Sequence, residues 1–527
     1  MIHGKNTIGY ELLATEGKTI QSINPQTGEP MEGDFHIASS SEISLALQKA
    51  GDAYKIYKKK SGKDKADFLE AIADEIVALG EVLVKRAMAE TALPEGRIVG
   101  ERGRTVGQLK LFAALLRDGT WVEASIDKAI PDREPLPKSD IRKMLVPTGP
   151  VLVFTASNFP LAFSTAGGDT ASALAAGNPV IVKAHESHLG TNELIAGAIS
   201  LAAKKTGMPD GVFSSLTGSG FELGKQLILH PVIKSMAFTG SFNGGKALYD
   251  MASGRPDPIP VFSEMGSINP VLILPENLKE NGDSLATSYA GSITLGTGQF
   301  CTNPGLMIGL VGEELERFIG KLSAEIEKIA PSTMLNGGIA ENYNTKIQSL
   351  WKEKGVKQEG KASGDNSPNK GVPTVASATG TDFIRNPVLH EEIFGPFSLI
   401  IKCADREEMG RVIEALKGQL TVTVLGNRND LSSFAAEIEN LKEICGRIIF
   451  KGVPTGVEVC HSMFHGGPFP ATTDNRFTSV GTDAIKRFVR PMCFQDAPEN
   501  MLPDELKNDN PLNIWRKIDG VFTKDKI

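Results

Sequence analysis

Residues Val151–Lys183 read VLVFTASNFPLAFSTAGGDTASALAAGNPVIVK. The stretch opens on an apolar run, Val151–Thr155. It passes through an Ala- and Gly-rich helical segment, Ser164–Ala176, and ends in a second apolar run, Pro179–Val182. A strand that is apolar at successive positions is covered on both faces. Two such strands joined by a helix make a parallel βαβ unit. The texture continues downstream with a helical stretch at Gly190–Lys205 and apolar runs at Gly211–Leu216 and Ser235–Phe238. Pro260–Glu264 and Pro270–Leu274 then read as a strand pair. A second alternating block, from about 285 to 455, carries strands at Leu306–Leu310, Phe397–Ile401, Thr421–Leu425 and Arg447–Phe450. The expected fold class is α/β with two parallel-sheet units.

Upstream, residues from about 45 to 120 are helical: apolar side chains recur every three or four positions in Leu69–Leu83, and 97–117 continue the pattern. Pro131, Pro135, Pro137, Pro147 and Pro150 break it around the extended stretch Ile141–Val146. Segment 355–371 reads as a polar surface loop. The tail after Arg490, with Pro491, Pro498, Pro503 and Pro511, is expected to wrap a neighbour or the protein's own surface. A chain of 527 residues suits two or three packed domains. Its 56 basic against 63 acidic side chains, net −7, give no bulk attraction to nucleic acid or anionic lipid, so neither is an expected partner. Five widely spaced cysteines without a CxxC pair argue against a disulfide framework and a zinc ribbon. Met1–Leu13 lacks the basic-then-apolar order of a signal peptide, and no stretch is long enough to span a bilayer. The expected location is cytoplasmic.

Four signatures carry chemistry, each with a plainer reading beside it. Phe154–Pro160 lies where a buried strand ends, the place where open α/β sheets bind ligands; the Asn158 amide there suits a developing oxyanion or a helix cap. Lys183 ends the next strand, where a cofactor phosphate or ribose would arrive, or where a lysine is simply solvated. Glu186 suits a ribose diol or surface charge. Phe238-Thr239-Gly240-Ser241 opens a helix whose N–H groups suit a pyrophosphate, or is a glycine turn without a ligand. Finally, Glu264-Met265-Gly266 and Gly298-Gln299-Phe300-Cys301 pair a strand-end carboxylate, a candidate general base, with a thiol on a glycine-rich turn, a candidate nucleophile. A lone Cys is more often inert and buried. Cys460, His461 and His465 raise the thought of a metal site, but a fourth ligand and the usual spacing are missing, so no metal is expected.

Taken in order with Asn269-Pro270 and Glu391-Glu392-Ile393-Phe394-Gly395-Pro396, these motifs resemble the aldehyde dehydrogenase superfamily over nearly the whole chain. The resemblance implies a Rossmann-like cofactor domain (1–131 and 151–265), a second α/β catalytic domain (266–473), and a small β oligomerisation arm with a C-terminal extension (132–150 and 474–527). It also implies a homodimer or homotetramer. Cys301 would be the nucleophile, Asn158 with the Cys301 N–H the oxyanion hole, and Glu264 the base that activates the deacylating water. Lys183, Glu186, Gly240 and Ser241 would hold the ribose and pyrophosphate of NADP or NAD, Glu392 the nicotinamide ribose, and Phe394 would pack near the nicotinamide ring.

Ala184-His185-Glu186-Ser187-His188 and Gly456–Thr472 depart from the commonest family pattern. They resemble the branch that holds α-ketoglutaric semialdehyde (2,5-dioxovalerate) dehydrogenase and the NADP-dependent fatty aldehyde dehydrogenases. Arg97, Glu101, Arg104 and Gln108 step by helical spacing along one face. By its position in the family that helix borders the substrate tunnel, and an Arg104 guanidinium there suits a substrate carboxylate. The plainer reading is an ion pair of Glu101 with Arg97 or Arg104. Phe159, Phe163, Val459 and Phe464 would be the apolar walls. The expected reaction is oxidation of an aldehyde partner, α-ketoglutaric semialdehyde, to 2-oxoglutarate. Alternatives are a fatty or broad-range aldehyde, a coenzyme A-acylating enzyme, and a non-catalytic binding protein on the same fold.

Overall fold

The computed structural model describes residues 2–15, 17–364, 367 and 369–527. Its first sheet has seven strands in the order Val261–Glu264, Ser235–Thr239, Val151–Phe154, Val180–Lys183, Phe213–Leu216, Asn6–Ile8 and Glu11–Leu13. The first five run parallel, and the N-terminal hairpin adds two antiparallel strands at the edge. Period-two alternation sends side chains into two separate cores. Val151, Val153, Val180, Val182 and Phe213 pack with the helices Gly62–Ala78, Glu95–Asp118, Gly168–Ala176 and Leu189–Lys205. Leu152, Ile181, Leu216 and Met236 pack on the other face with Ser40–Tyr57, Glu222–Leu229 and Phe242–Ser253. Burial on both faces is why Val151–Phe154 and the first three residues of Val180–Lys183 are apolar at successive positions.

The second sheet runs Lys357–Lys361, Thr374–Thr379, Phe397–Cys403, Leu306–Leu310, Val271–Ile273, Gln419–Leu425, Cys445–Ile449, and all but the first are parallel. It too is covered on both faces. A third sheet, ordered Val489–Gln495, Ile141–Pro147, Ser125–Asp127, Arg516–Ile518, Val521–Thr523, forms a mostly antiparallel arm. The α/β class with two parallel sheets and a small β arm is therefore present. No helix among the described residues is long and apolar enough to cross a membrane.

Several local expectations need correction. Val261–Glu264 and Val271–Ile273 are not a strand pair: they belong to different sheets, and the turn between them carries the chain from one to the other. The 355–371 segment is not wholly loop. Lys357–Lys361 pairs antiparallel with Thr374–Thr379, and Lys370–Gly371 pairs with Ser332–Thr333; as an edge strand, Lys357–Lys361 exposes most of its side chains and so reads polar. Positions 365, 366 and 368 of that segment lie outside the described residues. The Leu69–Leu83 helix is broken at Gly80 (φ +55°), which starts a separate helix, Gly80–Thr91. The tail, by contrast, follows one of its two expected courses and folds back on its own chain: Leu502, Leu506 and Ile514 share a core with Val122, Ala124, Ile126 and Met144. The Arg516 side chain is buried and donates to the carbonyls of Lys507 and Asp525.

The turn between the two parallel sheets depends on one buried amide. Asn269 takes a left-handed φ of +46°, rare for a residue with a side chain. Its Nδ2 donates to the carbonyls of Cys301 (2.8 Å), Asn303 (3.0 Å) and Ser267 (3.1 Å), while its Oδ1 accepts from Thr421 Oγ1 at 3.0 Å. The Gln419 side-chain oxygen, Oε1, accepts from Ser267 Oγ (2.9 Å), Ile268 N (2.9 Å) and Asn269 N (3.2 Å). Removing a buried donor strands its acceptors at about 1–3 kcal/mol per group. Asn269→Ala is expected to lower the unfolding free energy by about 2–4 kcal/mol, read from urea denaturation. An unchanged midpoint would show that these carbonyls find other donors.

Candidate active site

The loop before Cys301 is wound the wrong way. Gly296, Thr297 and Gly298 have φ of +55°, +60° and +65°, a left-handed turn that a β-branched threonine adopts only under constraint. Only glycine fits at 298, where a Cβ would lie 2.2 Å from the Gly395 carbonyl oxygen. Gln299 pins the loop further: its Oε1 accepts from Leu335 N at 3.0 Å, and its own carbonyl accepts from Asn158 Nδ2 at 3.1 Å. Asn158 therefore reaches the Cys301 loop from the first sheet, and Asn269 holds the Cys301 carbonyl from the turn between sheets.

Cys301 Sγ stands 3.4 Å from His465 Nε2, which lies 3.0 Å from Glu264 Oε1. Glu264 Oε2 accepts from Ser479 Oγ at 2.5 Å. Glu264 ends the strand Val261–Glu264, and the returning chain bridges onto it at Thr472, which brings His465 and Ser479 beneath the strand. Burial raises the Cys301 thiol well above its ordinary value, and the Glu264 charge and hydrogen bond raise it further, against the pull of Arg104. Burial also acts to raise Glu264, but the charge and hydrogen bond of His465, with the hydroxyl of Ser479 and the Cys301 thiol, hold it below the usual carboxylate range. The resting site is thus a protonated thiol against an ionised carboxylate, with one imidazole N–H touching both.

In front of the thiol lies a cavity of about 260 Å³, lined by Arg97, Glu101, Arg104, Phe159, Phe163, Phe300, Val457 and His465 among others. Val459 packs on the aromatic cluster of Phe159, Phe163 and Phe300, and Phe464 packs beside Gly466; neither lines the cavity. Glu101 is held within the protein: Oε1 accepts from Leu161 N (2.8 Å) and Ala162 N (2.9 Å), and Oε2 forms an ion pair with Arg97 at 2.9 Å. Arg97 lies over the rings of Phe159 (4.3 Å) and Phe300 (5.1 Å). Arg104 sits over Phe163 at 5.7 Å and donates to the Val457 carbonyl, and it makes no ion pair among the described residues. Of the ion pairs open on this helix face, the Arg97–Glu101 pair forms, leaving Arg104 as an uncompensated cation in the cavity wall. Gln108 is buried farther along the helix, beside Gly168.

On the other side of Glu264, the carboxyl ends of the first sheet line up: Phe154 pairs with Lys183, Phe238 with Phe154, and Thr239 with Glu264. Lys183 Nζ lies 3.4 Å from Glu186 Oε1, which also accepts from Gly220 N at 2.9 Å. Ser241 caps the helix Phe242–Ser253, and Gly240 has no room for a Cβ, which would come within 2.6 Å of the Phe238 ring. Glu392 packs against Gly266; burial raises its carboxyl to about 7, against the Ser267 N–H and Lys346. Phe394 follows, partly buried, one residue before the Gly395 that fixes the thiol loop. One cation, one carboxylate and the N-terminus of a 12-residue helix along one sheet edge suit a diphosphate flanked by sugars.

Sequence reasoning missed His465, Ser479 and the aromatic seat of Arg97. Their contacts with Glu264 and Phe159 span 201, 215 and about 60 residues, and no periodic signal links such distant positions. The Cys460-His461-His465 grouping did contain the histidine, but grouped it with the wrong neighbours. His461 Nδ1 instead meets Thr482 Oγ1 at 3.3 Å.

These contacts fix the sign of a pH effect. Thiolate reacts and thiol does not, so alkylation of Cys301 by iodoacetamide, followed on its peptide by mass spectrometry, is expected to rise with pH through the alkaline range. Glu264→Gln removes a negative charge beside the sulfur and should move that profile to lower pH, while Arg104→Ala should move it higher. Coincident profiles for all three proteins would break the electrostatic link.

The aldehyde dehydrogenase family model matches residues 12–465. The chain is 49% identical over 518 residues to α-ketoglutaric semialdehyde dehydrogenase 2 of Azospirillum brasilense, covering 98% of this chain and 99% of that one. It is 43% identical over 524 residues to α-ketoglutaric semialdehyde dehydrogenase of Acinetobacter baylyi, covering 99% of each. Among solved structures, 1-pyrroline-5-carboxylate dehydrogenase from Thermus with bound NAD superposes with a TM-score of 0.79 at 22% identity, over 94% of this chain and 93% of that one. Methylmalonate-semialdehyde dehydrogenase from Oceanimonas doudoroffii gives 0.79 at 17% identity, over 94% and 98%. Sequence and fold agree: the chain belongs to the aldehyde dehydrogenase family.

Proposed function

We propose that this protein oxidises α-ketoglutaric semialdehyde to 2-oxoglutarate with NAD⁺ or NADP⁺, through a thioester on Cys301. The observation that carries the substrate assignment is Arg104, a cation without a carboxylate partner among the described residues, in the wall of the cavity that opens on Cys301. An aldehyde that carries its own carboxylate supplies the missing charge, and a charge-assisted pair in a partly desolvated pocket discriminates against neutral chains. Two relatives covering nearly the whole chain bear the name of that activity, which supports the same reading.

The chemistry follows from the contacts. Glu264 takes the Cys301 thiol proton, and the His465 Nε2–H, within reach of both anions, stabilises the thiolate as it forms. The thiolate adds to the aldehyde carbon. Asn158, tethered to the carbonyl of Gln299, and the Cys301 N–H meet the oxyanion, where one such donor is worth on the order of 10²-fold in rate. A nicotinamide dinucleotide, when bound, would supply the acceptor for the hydride that leaves the adduct. Lys183, Glu186, Gly240 and Ser241 would hold its ribose and diphosphate, and Glu392 with Phe394 its nicotinamide end. Once Glu264 has passed the thiol proton to solvent, its carboxylate draws a proton from water, whose oxygen attacks the thioester, and returns that proton to the departing thiolate. A carboxylate in contact with the sulfur favours water over coenzyme A as the acyl acceptor. Phe159 and Phe163 wall the cavity, with Val459 packed against them.

In this reading the first sheet carries the cofactor and the second the nucleophile. The exposed edge strand Val489–Gln495 joins protomers into a homodimer or homotetramer, and the enzyme works in the cytoplasm.

A panel of aldehydes with both coenzymes tests the proposal. α-Ketoglutaric semialdehyde is expected to give the highest kcat/KM, and Cys301→Ala to abolish turnover. Arg104→Ala should raise KM for acidic aldehydes roughly 10–100-fold, with little change for neutral ones. Equal effects on both classes would sink the carboxylate assignment.

A further inference from the structure

Glu264, Cys301 and His465 form the one group of potential metal ligands among the described residues whose donor atoms all lie within 4.8 Å of one another. The sulfur and Nε2 are 3.4 Å apart, and Nε2 and Oε1 are 3.0 Å apart. A tetrahedral zinc ion, with sulfur at about 2.3 Å and nitrogen and oxygen at about 2.0–2.2 Å, holds its ligand atoms about 3.3–3.6 Å apart. Those two separations come within a few tenths of an ångström of that requirement. Thiolate, imidazole and carboxylate are also the donor types that zinc selects. Cys301 and His465 both line the 260 Å³ cavity, so a small cation has access to the site and room for a fourth ligand, water. His465 and Glu264 also border a second, smaller cavity of about 20 Å³, lined as well by Ser479, Thr478, Asp474 and Arg487. That volume accommodates about one water molecule, a partner for the Nδ1 proton that coordination through Nε2 requires.

We propose that Cys301, His465 and Glu264 form a reversible inhibitory site for a soft divalent cation of the zinc class. Binding forms Zn–S, Zn–N and Zn–O bonds. The thiol proton passes to buffer, and the ring proton of His465 moves to Nδ1. No electrons change hands. The ion sequesters the sulfur that would attack the carbonyl, so inhibition is competitive with aldehyde and is reversed by a chelator. Hard cations such as Mg²⁺ and Ca²⁺, which need six or more oxygen ligands, find no site in this donor set.

The test uses the full-length protein, stripped with EDTA and free of coenzyme, titrated with CoCl₂ and then ZnCl₂. One equivalent of cobalt is expected to bind with a sulfur-to-cobalt charge-transfer band in the near ultraviolet. The band should be lost in Cys301→Ser and kept in Cys460→Ser and Cys493→Ser, and zinc should displace it. In turnover assays ZnCl₂ should inhibit competitively with aldehyde, MgCl₂ should not, and His465→Asn, folded by circular dichroism, should weaken zinc inhibition at least about tenfold. A band that survives in Cys301→Ser, or zinc inhibition unchanged in His465→Asn, overturns the proposal. Should His465→Asn not fold, the wild-type kinetics decide, because inhibition not competitive with aldehyde excludes capture at this sulfur. Direct binding is read without turnover, so these outcomes stand apart from the identity of the aldehyde.

Discussion

The placement of the Cys301 sulfur depends on the left-handed turn at Gly296–Gly298. A chain of L-residues avoids three successive positive φ values, at about 1–2 kcal/mol for each residue with a side chain. Here the turn is over-determined from every side. Asn269 holds the carbonyl of Cys301, Asn158 holds that of Gln299, Leu335 holds the Gln299 side chain, and the Gly395 carbonyl lies where any Cβ at 298 would be. Those contacts come from the first sheet, from the turn between sheets and from the second sheet. The thiol is therefore fixed by the docking of the two sheets, and the strain in its loop is supported by packing far from it in sequence.

The same docking sets the electrostatics. The Cys301 thiol, the Glu264 carboxylate and the His465 imidazole are enclosed together, and Arg104 lines the cavity in front of the thiol. Burial alone would push both acids up. The charge of His465 and the hydrogen bonds from His465 and Ser479 decide which of them stays ionised, and they favour Glu264. The thiol, whose nearest full charge is that same carboxylate, carries the cost. Charge is thus divided unequally between two groups in contact, the condition under which one acts as acid and its neighbour as base.

Much of this was legible in the sequence where the determinant is local. Apolar runs such as Val151–Phe154 and Leu306–Leu310 showed the parallel strands, because burial on both faces leaves no alternation to misread. The order of Asn158, Lys183, Glu264 and Cys301 pointed to the family before any coordinates did. Local reading failed where the determinant is a partner distant in sequence. Val261–Glu264 and Val271–Ile273 looked paired because they are neighbours in the chain, yet the left-handed Asn269 between them turns the chain into another sheet. His465 looked like part of a Cys-His cluster until the returning chain bridged onto Glu264 at Thr472. Lys357–Lys361 looked like loop because, at the edge of its sheet, it buries only Gly360 and keeps polar side chains elsewhere.

The arm sheet places Ser125–Asp127 directly beside Arg516–Ile518. During synthesis the earlier strand leaves the ribosome about 390 residues ahead of its neighbour, an interval of roughly 20–80 s at about 5–20 residues per second. Throughout that time one border of the nascent arm is open, and Ile126 lacks the Leu506 and Ile514 side chains that finally cover it. Closure of the arm is therefore a late event on the path from translation to the finished enzyme, and the interval before it is when a chaperone has most to protect.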